Sequence, residues 1–308
     1  MKLFPEGGRV FEIISRYDDL LTLESKEGYE PGDTLALIVP FLVLHDISGE
    51  NIATLASNAS LIGGAEKIIS WLGYSGWKVF CITTTYEQYA IHITHKLGIY
   101  AHNVACTPLP LPQIRQTLSK DDITMLKQVE TDLLVMSPVV DDDRIKKRLD
   151  RFFWKELPAT ALGKAISQVK PVGGRRKVAA INKFADKYGQ PLSQWIVVGD
   201  SITDFRMLQE VDAAGGLAVA FNANEYALPY ATMSLASTYI SDLTDALAAW
   251  KKGQRRETAR LVREMEKIGA SGDRGYFHWL AGRKDIDEVT RLHKRIRGLV
   301  REEAGKLG

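Results

Sequence analysis

Gln194-Trp195-Ile196-Val197-Val198-Gly199-Asp200-Ser201-Ile202-Thr203-Asp204-Phe205 is the stretch on which the fold of this chain turns. A run of apolar, β-branched residues leads straight into Gly-Asp, the pattern of a buried strand that ends in a loop. It sets two carboxylates, Asp200 and Asp204, four residues apart beyond the carboxyl end of that strand. Open α/β sheets bind their ligands on that side. A carboxylate there is costly unless something partners it. A hard cation such as Mg²⁺ meets the need, because it takes one or two protein carboxylates and keeps several waters. The other reading is that the two aspartates cap the helix that follows. These residues alone leave both readings open.

On either side the same alternation continues. Gly215-Gly216 turns into a second apolar strand, Leu217–Phe221, and Met233–Ala236 reads as a third. Upstream, Val79-Phe80-Cys81-Ile82 reads as a strand that ends in Thr83, Thr84 and Thr85, with a helix over 87–97 that Gly98 stops. Short apolar strands separated by helices predict an α/β fold, a Rossmann-like parallel sheet with helices on both faces. Residues 1–65 read as helices, from Val10, Phe11, Ile13 and Ile14 and again from Leu35, Leu37, Ile38, Phe41 and Leu42, the second set starting at an Asp33-Thr34 cap. Beyond Thr107, Pro108, Pro110 and Pro112 form a stiff entry to polar helices over 121–135 and 142–153, which reads as an insertion. Residues 241–308 show helical patterning and no strand signal.

With 308 residues, 45% hydrophobic and 25% charged, the composition excludes a disordered chain, a collagen repeat and a disulfide scaffold. Cys81 and Cys106 cannot build a framework. No apolar run approaches the roughly 20 residues of a membrane-spanning helix; the longest, 35–44, is interrupted by Pro40. Met1-Lys2-Leu3-Phe4-Pro5-Glu6-Gly7-Gly8 lacks the apolar centre of a signal peptide. The expectation is a reduced, cytoplasmic protein. Its net charge of +2 hides an asymmetry. Residues 251–308 carry 16 Lys and Arg against 9 Asp and Glu, while the first 250 carry 24 against 29. A basic helical tail suits an acidic partner. Its interleaved glutamates, among them Glu257, Glu264 and Glu266, equally suit a solvated face.

Two further residues complete a constellation. Thr83 ends its strand, where a hydroxyl and neighbouring N–H groups, including that of Thr84, can hold a phosphate oxygen. Lys177, in Val172-Gly173-Gly174-Arg175-Arg176-Lys177-Val178, starts the helix before the acidic strand, where an ammonium can neutralise phosphoryl charge. The ordered set Thr83, Lys177, Gly199-Asp200-Ser201-x-x-Asp204 resembles the second, third and fourth motifs of the haloacid dehalogenase (HAD) superfamily of phosphohydrolases. Arg16-Tyr17-Asp18-Asp19, Gly28-Tyr29-Glu30-Pro31-Gly32-Asp33-Thr34-Leu35, Thr83-Thr84-Thr85-Tyr86 and Ala220-Phe221-Asn222-Ala223-Asn224-Glu225-Tyr226-Ala227-Leu228 resemble one archaeal branch, known in methanogens as "energy-converting hydrogenase A, subunit R". The resemblance implies Mg²⁺ as cofactor, Asp200 and Asp204 as metal site, Thr83, Thr84, Lys177 and Ser201 as phosphate-binding groups, and Thr83 and Lys177 in catalysis. Asn222 and Glu225, after the next strand, are expected to border the site.

The family's first motif, a strand ending in Asp-x-Asp or Asp-x-Glu-Gly-Pro that supplies an aspartyl nucleophile, has no counterpart. Asp18-Asp19 follows a helical pattern, and Asp141-Asp142-Asp143 reads as a helix cap. The expectation is that this strand, central in the family, lies outside the chain through a late start or a trimmed N-terminus, with true loss as the alternative, and that its removal leaves a slot beside the motif strands. A competing resemblance, to GDSL esterases with Ser201 as nucleophile, needs an Asp-x-x-His pair downstream; His278 and His293 are preceded at that spacing by Gly275 and Thr290. His92, His95 and His102 are open to a partial zinc site or to plain surface histidines. Gly173-Gly174 is open to a phosphate cradle or a turn.

The resemblance thus implies a helical cap over 1–65, an HAD-like core over 66–105 and 166–240, a helical insertion over 106–165, and accessory basic C-terminal helices over 241–308. The expected function is Mg²⁺-dependent hydrolysis of a small phosphorylated metabolite, silent in the chain as given. The alternative is a binding or assembly subunit, associated with a hydrogenase or another complex, that docks a protein partner through the basic C-terminal helices. Neither a membrane span nor a nucleic-acid partner is expected.

Overall fold

The computed structural model describes residues 3–24, 26–269 and 275–306. In chain order the elements are α1 (Gly7–Leu23), α2 (Thr34–Leu44), α3 (Gly49–Ser57), α4 (Ala65–Tyr74), β1 (Cys81–Tyr86), α5 (Glu87–Lys96), β2 (Val104–Thr107), α6 (Leu111–Arg115), α7 (Lys120–Leu134), α8 (Asp142–Arg151) and α9 (Ala161–Ile166). They continue with α10 (Arg175–Tyr188), β3 (Ile196–Gly199), α11 (Phe205–Ala213), β4 (Leu217–Phe221), β5 (Met233–Ala236), α12 (Thr244–Ile268), β6 (Tyr276–Trp279) and α13 (Asp287–Lys306). The chain forms two units, each assembled from three segments. The first holds 1–57, 83–93 and 105–173; the second holds 58–82, 94–104 and 174–308.

The first unit is helical and has one apolar core. Val10, Ile13, Ile14, Tyr17 and Leu21 repeat at helical spacing along α1, and all are buried. α2 is apolar nearly throughout, so it has no polar face to offer water, and Leu37 to Val43 are all buried. Leu126, Val129 and Leu133 of α7 and Ile145 and Leu149 of α8 join the same cluster. The segments expected as a separate cap and insertion therefore share one core, a division that differs from the expected one. Polar ties fix the helices against one another. Arg16 makes a two-pronged contact with Asp142, at 2.8 and 2.5 Å. The Tyr17 hydroxyl donates to Asp150 and accepts from the Trp154 indole N–H, at 2.6 and 2.7 Å. The Tyr29 hydroxyl donates to Asp18. Ser119 and Asp122 form a reciprocal capping box at the start of α7. No single helix among the described residues is long and apolar enough to cross a membrane.

The second unit carries the sheet, in the order β3-β4-β5-β6. β3, β4 and β5 run parallel, with Val197 opposite Ala218 and Ala220 opposite Ser234. Every residue of β4 is buried, as the middle of a parallel sheet requires. β6 pairs antiparallel with β5, setting His278 opposite Ser234. That strand corrects the expectation of helix alone beyond 241. Tyr276-Phe277-His278-Trp279 is four residues of high strand preference, too short between two long helices to show a period. α12 is also interrupted, at Gly253 and Gln254, whose backbone angles are not helical.

β1 and β2 form a separate two-stranded sheet. β1 starts at Cys81 and runs through the threonines to Tyr86, later than the expected 79–82, because threonine is itself β-branched and suits a strand. Phe80 precedes the strand and packs its ring 4.9 Å from Phe184 and Trp195. Among the described residues β3 pairs only with β4 and β1 only with β2, so each motif strand keeps one unpaired edge. On β3 that edge leaves Val198 40% exposed in an otherwise apolar strand.

Candidate active site

The loop after β3 is built around a buried ion pair. Lys177, third residue of α10, sits with its ammonium 2.6 Å from Asp204 Oδ1, and both side chains are over nine-tenths buried. The other oxygen of Asp204 accepts the backbone N–H groups of Asp200 and Ser201, both at 3.1 Å, and the Ser201 hydroxyl, also at 3.1 Å. Burial alone would raise this carboxyl, but the Lys177 charge and these donors hold it below the usual carboxylate range. Asp204 stands at the N-cap position of α11, yet makes no side-chain cap bond to it. The capping reading is therefore not what its carboxylate does: it organises the loop.

Two glycines let the loop close. A Cβ on Gly199 would lie 2.6 Å from Cβ of Asp204, so any side chain there displaces the carboxylate. Gly174 has φ 50, ψ −121, and its N–H donates to the Thr203 carbonyl at 3.0 Å, tying the start of α10 to the acidic loop. This Gly174 bond makes a structural turn, as the simpler of the two readings of Gly173-Gly174 has it.

Asp200 is different. Its carboxylate is about half exposed and meets Arg297 of α13, Nη1 to Oδ2 at 2.7 Å. Burial raises its pKa, while Arg297 and Lys177 oppose the rise and Asp204 adds to it. Oδ1 of Asp200 has no protein partner among the described residues. One acceptor-only oxygen, half open to solvent beside a second carboxylate already committed to Lys177, suits a hard cation that completes its shell with water. No cluster of three or more His, Cys, Asp or Glu that could hold a metal ion exists among the described residues; of the two aspartates, Asp200 alone keeps an uncommitted oxygen.

The structure gathers Lys177, Asp200, Ser201, Asp204, Asn222 and Glu225 within the second unit; Thr83 and Thr84 belong to the first. Thr83 Oγ1 accepts from the Thr85 N–H at 3.3 Å and keeps its own proton to donate. Thr84 Oγ1 donates to the Val172 carbonyl at 3.0 Å, and that commits it to structure. Cys81, two residues before Thr83, is pushed up by burial but feels the Lys177 charge. Asn222, at φ 45, uses its whole side-chain amide on the Ser237 backbone, at 2.7 and 2.9 Å, so only its carbonyl faces the loop. Glu225 pairs with Lys294 at 3.0 Å.

The Ser201 hydroxyl bonds Asp204 and Thr203, while His293 Nδ1 accepts the Ala223 N–H at 3.0 Å, so neither of their contacts builds an esterase pair. His92 bonds Ser57 at 3.1 Å and His102 stacks on Tyr100. Arg297 was not apparent from the sequence. Its only trace there is the basic excess of the tail, several of whose cations are paired internally: Arg255 with Asp212, Arg283 with Glu266, Lys294 with Glu225.

The depressed Asp204 makes acid stability a readout. A group with a lowered folded pKa stabilises the fold fully above its unfolded value, about 3.9, and loses that contribution as pH falls through the lower folded value. Asp200, raised by burial, contributes with the opposite sign. The urea midpoint of the wild type should therefore fall steeply below about pH 4. Asp204→Asn should start lower at neutral pH and descend less steeply there. Parallel acid limbs would show that Asp204 is not depressed.

Comparison with known proteins gives the chain's family and fold. The sequence model of the haloacid dehalogenase-like hydrolases matches residues 65–243, more than half of the chain. The chain is similar to the solved gene product AF1437 from Archaeoglobus fulgidus, with a TM-score of 0.81 and 26% identity over 97% of this chain and 90% of that one. Over 64 residues it is 39% identical to phosphoserine phosphatase SerB2 of Mycobacterium tuberculosis (strain ATCC 25618 / H37Rv); that stretch is 21% of this chain and only 15% of that protein's length.

Proposed function

Because the chain belongs to the haloacid dehalogenase-like hydrolases, we propose that the β3 loop is the cation-binding half of a phosphoryl-transfer site for a small phosphorylated metabolite. The observation that carries this is the division of labour between the two aspartates: Asp204 is spent on Lys177 and the loop N–H groups, leaving Asp200 with a free oxygen. Asp200 would hold Mg²⁺, which would supply charge neutralisation on the phosphoryl oxygens. The stretch shared with a phosphoserine phosphatase supports a phosphate monoester as substrate.

The chain's own groups bind and orient. In the second unit the Lys177 ammonium adds positive charge while fixing Asp204; in the first, Thr83 keeps a hydroxyl proton to donate. The Ser201 hydroxyl positions Asp204 and the Thr84 hydroxyl its own strand. In-line attack needs an aspartyl nucleophile, and among the described residues no strand ends in Asp-x-Asp. Asp18 is engaged by Tyr29, Asp142 by Arg16 and Asp141 by Arg144. The open edge of β3 suits a parallel strand that delivers one.

Extending the chain by a strand that ends in Asp-x-Asp should yield hydrolysis of p-nitrophenyl phosphate that requires Mg²⁺, and Asp200→Asn should abolish it. Turnover indifferent to Mg²⁺ or to Asp200→Asn would overturn the reading. The lack of a nucleophile among these residues favours a second reading, a silent assembly subunit of the kind the hydrogenase-associated branch name implies. The DNA upstream of Met1 separates the two. An in-frame strand ending in Asp-x-Asp or Asp-x-Glu-Gly-Pro supports the enzyme, and a promoter placed there supports the silent subunit.

A further inference from the structure

We propose that Arg297 is a positioning residue of this site: α13 uses it to hold one oxygen of the Asp200 carboxylate and so presents the other to a divalent cation. The inference rests on the reading of Asp200 as a cation ligand.

Arg297 is 15% exposed and makes all its described contacts through Nη1. That nitrogen lies 2.7 Å from Asp200 Oδ2 and donates to the carbonyls of Asp200 and Asn222, both at 2.9 Å. One head group therefore bridges the loops that follow β3 and β4, which are already joined by the Asn224 N–H on the Asp200 carbonyl at 2.9 Å. Neither loop can turn Asp200 away without breaking a charge-assisted bond.

The helix that delivers Arg297 is itself fixed. One turn earlier, His293 is fully buried, and its Nδ1 accepts the Ala223 N–H at 3.0 Å. Burial, with His278 nearby, lowers this imidazole to about 3, so it stays neutral and serves as a permanent acceptor. Val289 and Ile296 are buried on the same helix. Residues 293 and 297, one turn apart, share a face, and both grip the β4 loop at 222–223. Lys294 reaches Glu225 of that loop as well.

Two effects of Arg297 on a cation oppose each other. Its charge repels the ion, and its hydrogen bonds orient the ligand. Asp200 is half exposed, where water screens the repulsion, while losing Nη1 removes three contacts from two loops at once. Partners that orient a metal ligand typically carry about 10- to 100-fold in metal affinity, so orientation should win.

The test is calorimetric titration of the full chain with Mn²⁺, comparing wild type, Arg297→Ala, Arg297→Lys and the exposed α13 control Arg295→Ala, with amide exchange measured at Ser201 and Asn224. Arg297→Ala should bind Mn²⁺ at least about 10-fold more weakly, and both amides should exchange faster. Arg297→Lys, which keeps the charge and the helix packing but not the planar head, should fall between, and Arg295→Ala should match wild type. Equal affinity in wild type and both Arg297 variants would overturn the positioning role and leave the cation site standing. Tighter binding in Arg297→Ala would overturn it too, by showing that the arginine competes with the ion. A wild-type chain that takes up no Mn²⁺ would overturn the reading of Asp200 and this inference with it.

Discussion

Assayed side by side at the same Mg²⁺ concentration, the chain as given should hydrolyse p-nitrophenyl phosphate no faster than buffer. The chain extended by a strand ending in Asp-x-Asp should exceed it by several orders of magnitude. The difference follows from what the site contains. In the proposed reading Lys177, Asp204 and Asp200 neutralise and orient a phosphate, but neither described carboxylate of the β3 loop attacks it. Asp204 has both oxygens engaged, and Asp200, with one oxygen on Arg297, gives its free one to the cation in that reading. Removing a covalent nucleophile from an otherwise intact site costs on the order of 10⁴- to 10⁶-fold in turnover. Comparable Mg²⁺-dependent rates from both forms would mean that a residue already present does the attacking.

The second large effect concerns folding. Lys177→Met should lower stability by about 3–5 kcal/mol at neutral pH, because it leaves Asp204 buried without its counter-charge. By the usual scaling that is a fall in melting temperature of roughly 6–20 °C. Replacing both partners by apolar residues, Lys177→Met with Asp204→Leu, should recover much of the loss, since a buried pair and a well-packed apolar pair are often nearly equal in stability. The double variant should nonetheless lose the loop order that the Asp204 carboxylate imposes on Asp200 and Ser201. If the double variant is as unstable as the single, the cost lies in packing around the lysine stem and not in the uncompensated charge.

What was legible in the sequence followed from local pattern. β3 could be read because an apolar run met Gly199-Asp200, whereas the Lys177–Asp204 pair was not legible: the sequence assigned Lys177 to phosphate and Asp204 to the metal, and only the structure brings them together. β6 was not, since four aromatic-rich residues between long helices carry no period. Asn222 reads as a site residue by position, and only the structure shows its side chain spent on Ser237. Ser201 and Thr84 have hydroxyls of the right kind in the right motif, yet each is committed to holding its own loop or strand. Arg297 lies 97 residues from Asp200, and nothing in a mixed-charge helix says which cation turns inward. That choice is made by His293 and Ile296, whose burial sets the rotation of α13.

The interleaving of the two units has a consequence for synthesis on the ribosome. The chain leaves the first unit at residue 57, re-enters it at 83 and again at 105, and completes it only at 173. Residues 58–82 emerge early, but their core partners on β4, β5 and α12 are translated more than a hundred residues later. At roughly 5–20 residues per second, Ile68, Trp71 and Trp77 wait for many seconds before the strands that cover them exist. The nascent chain therefore carries an apolar, unfinished surface through most of its synthesis.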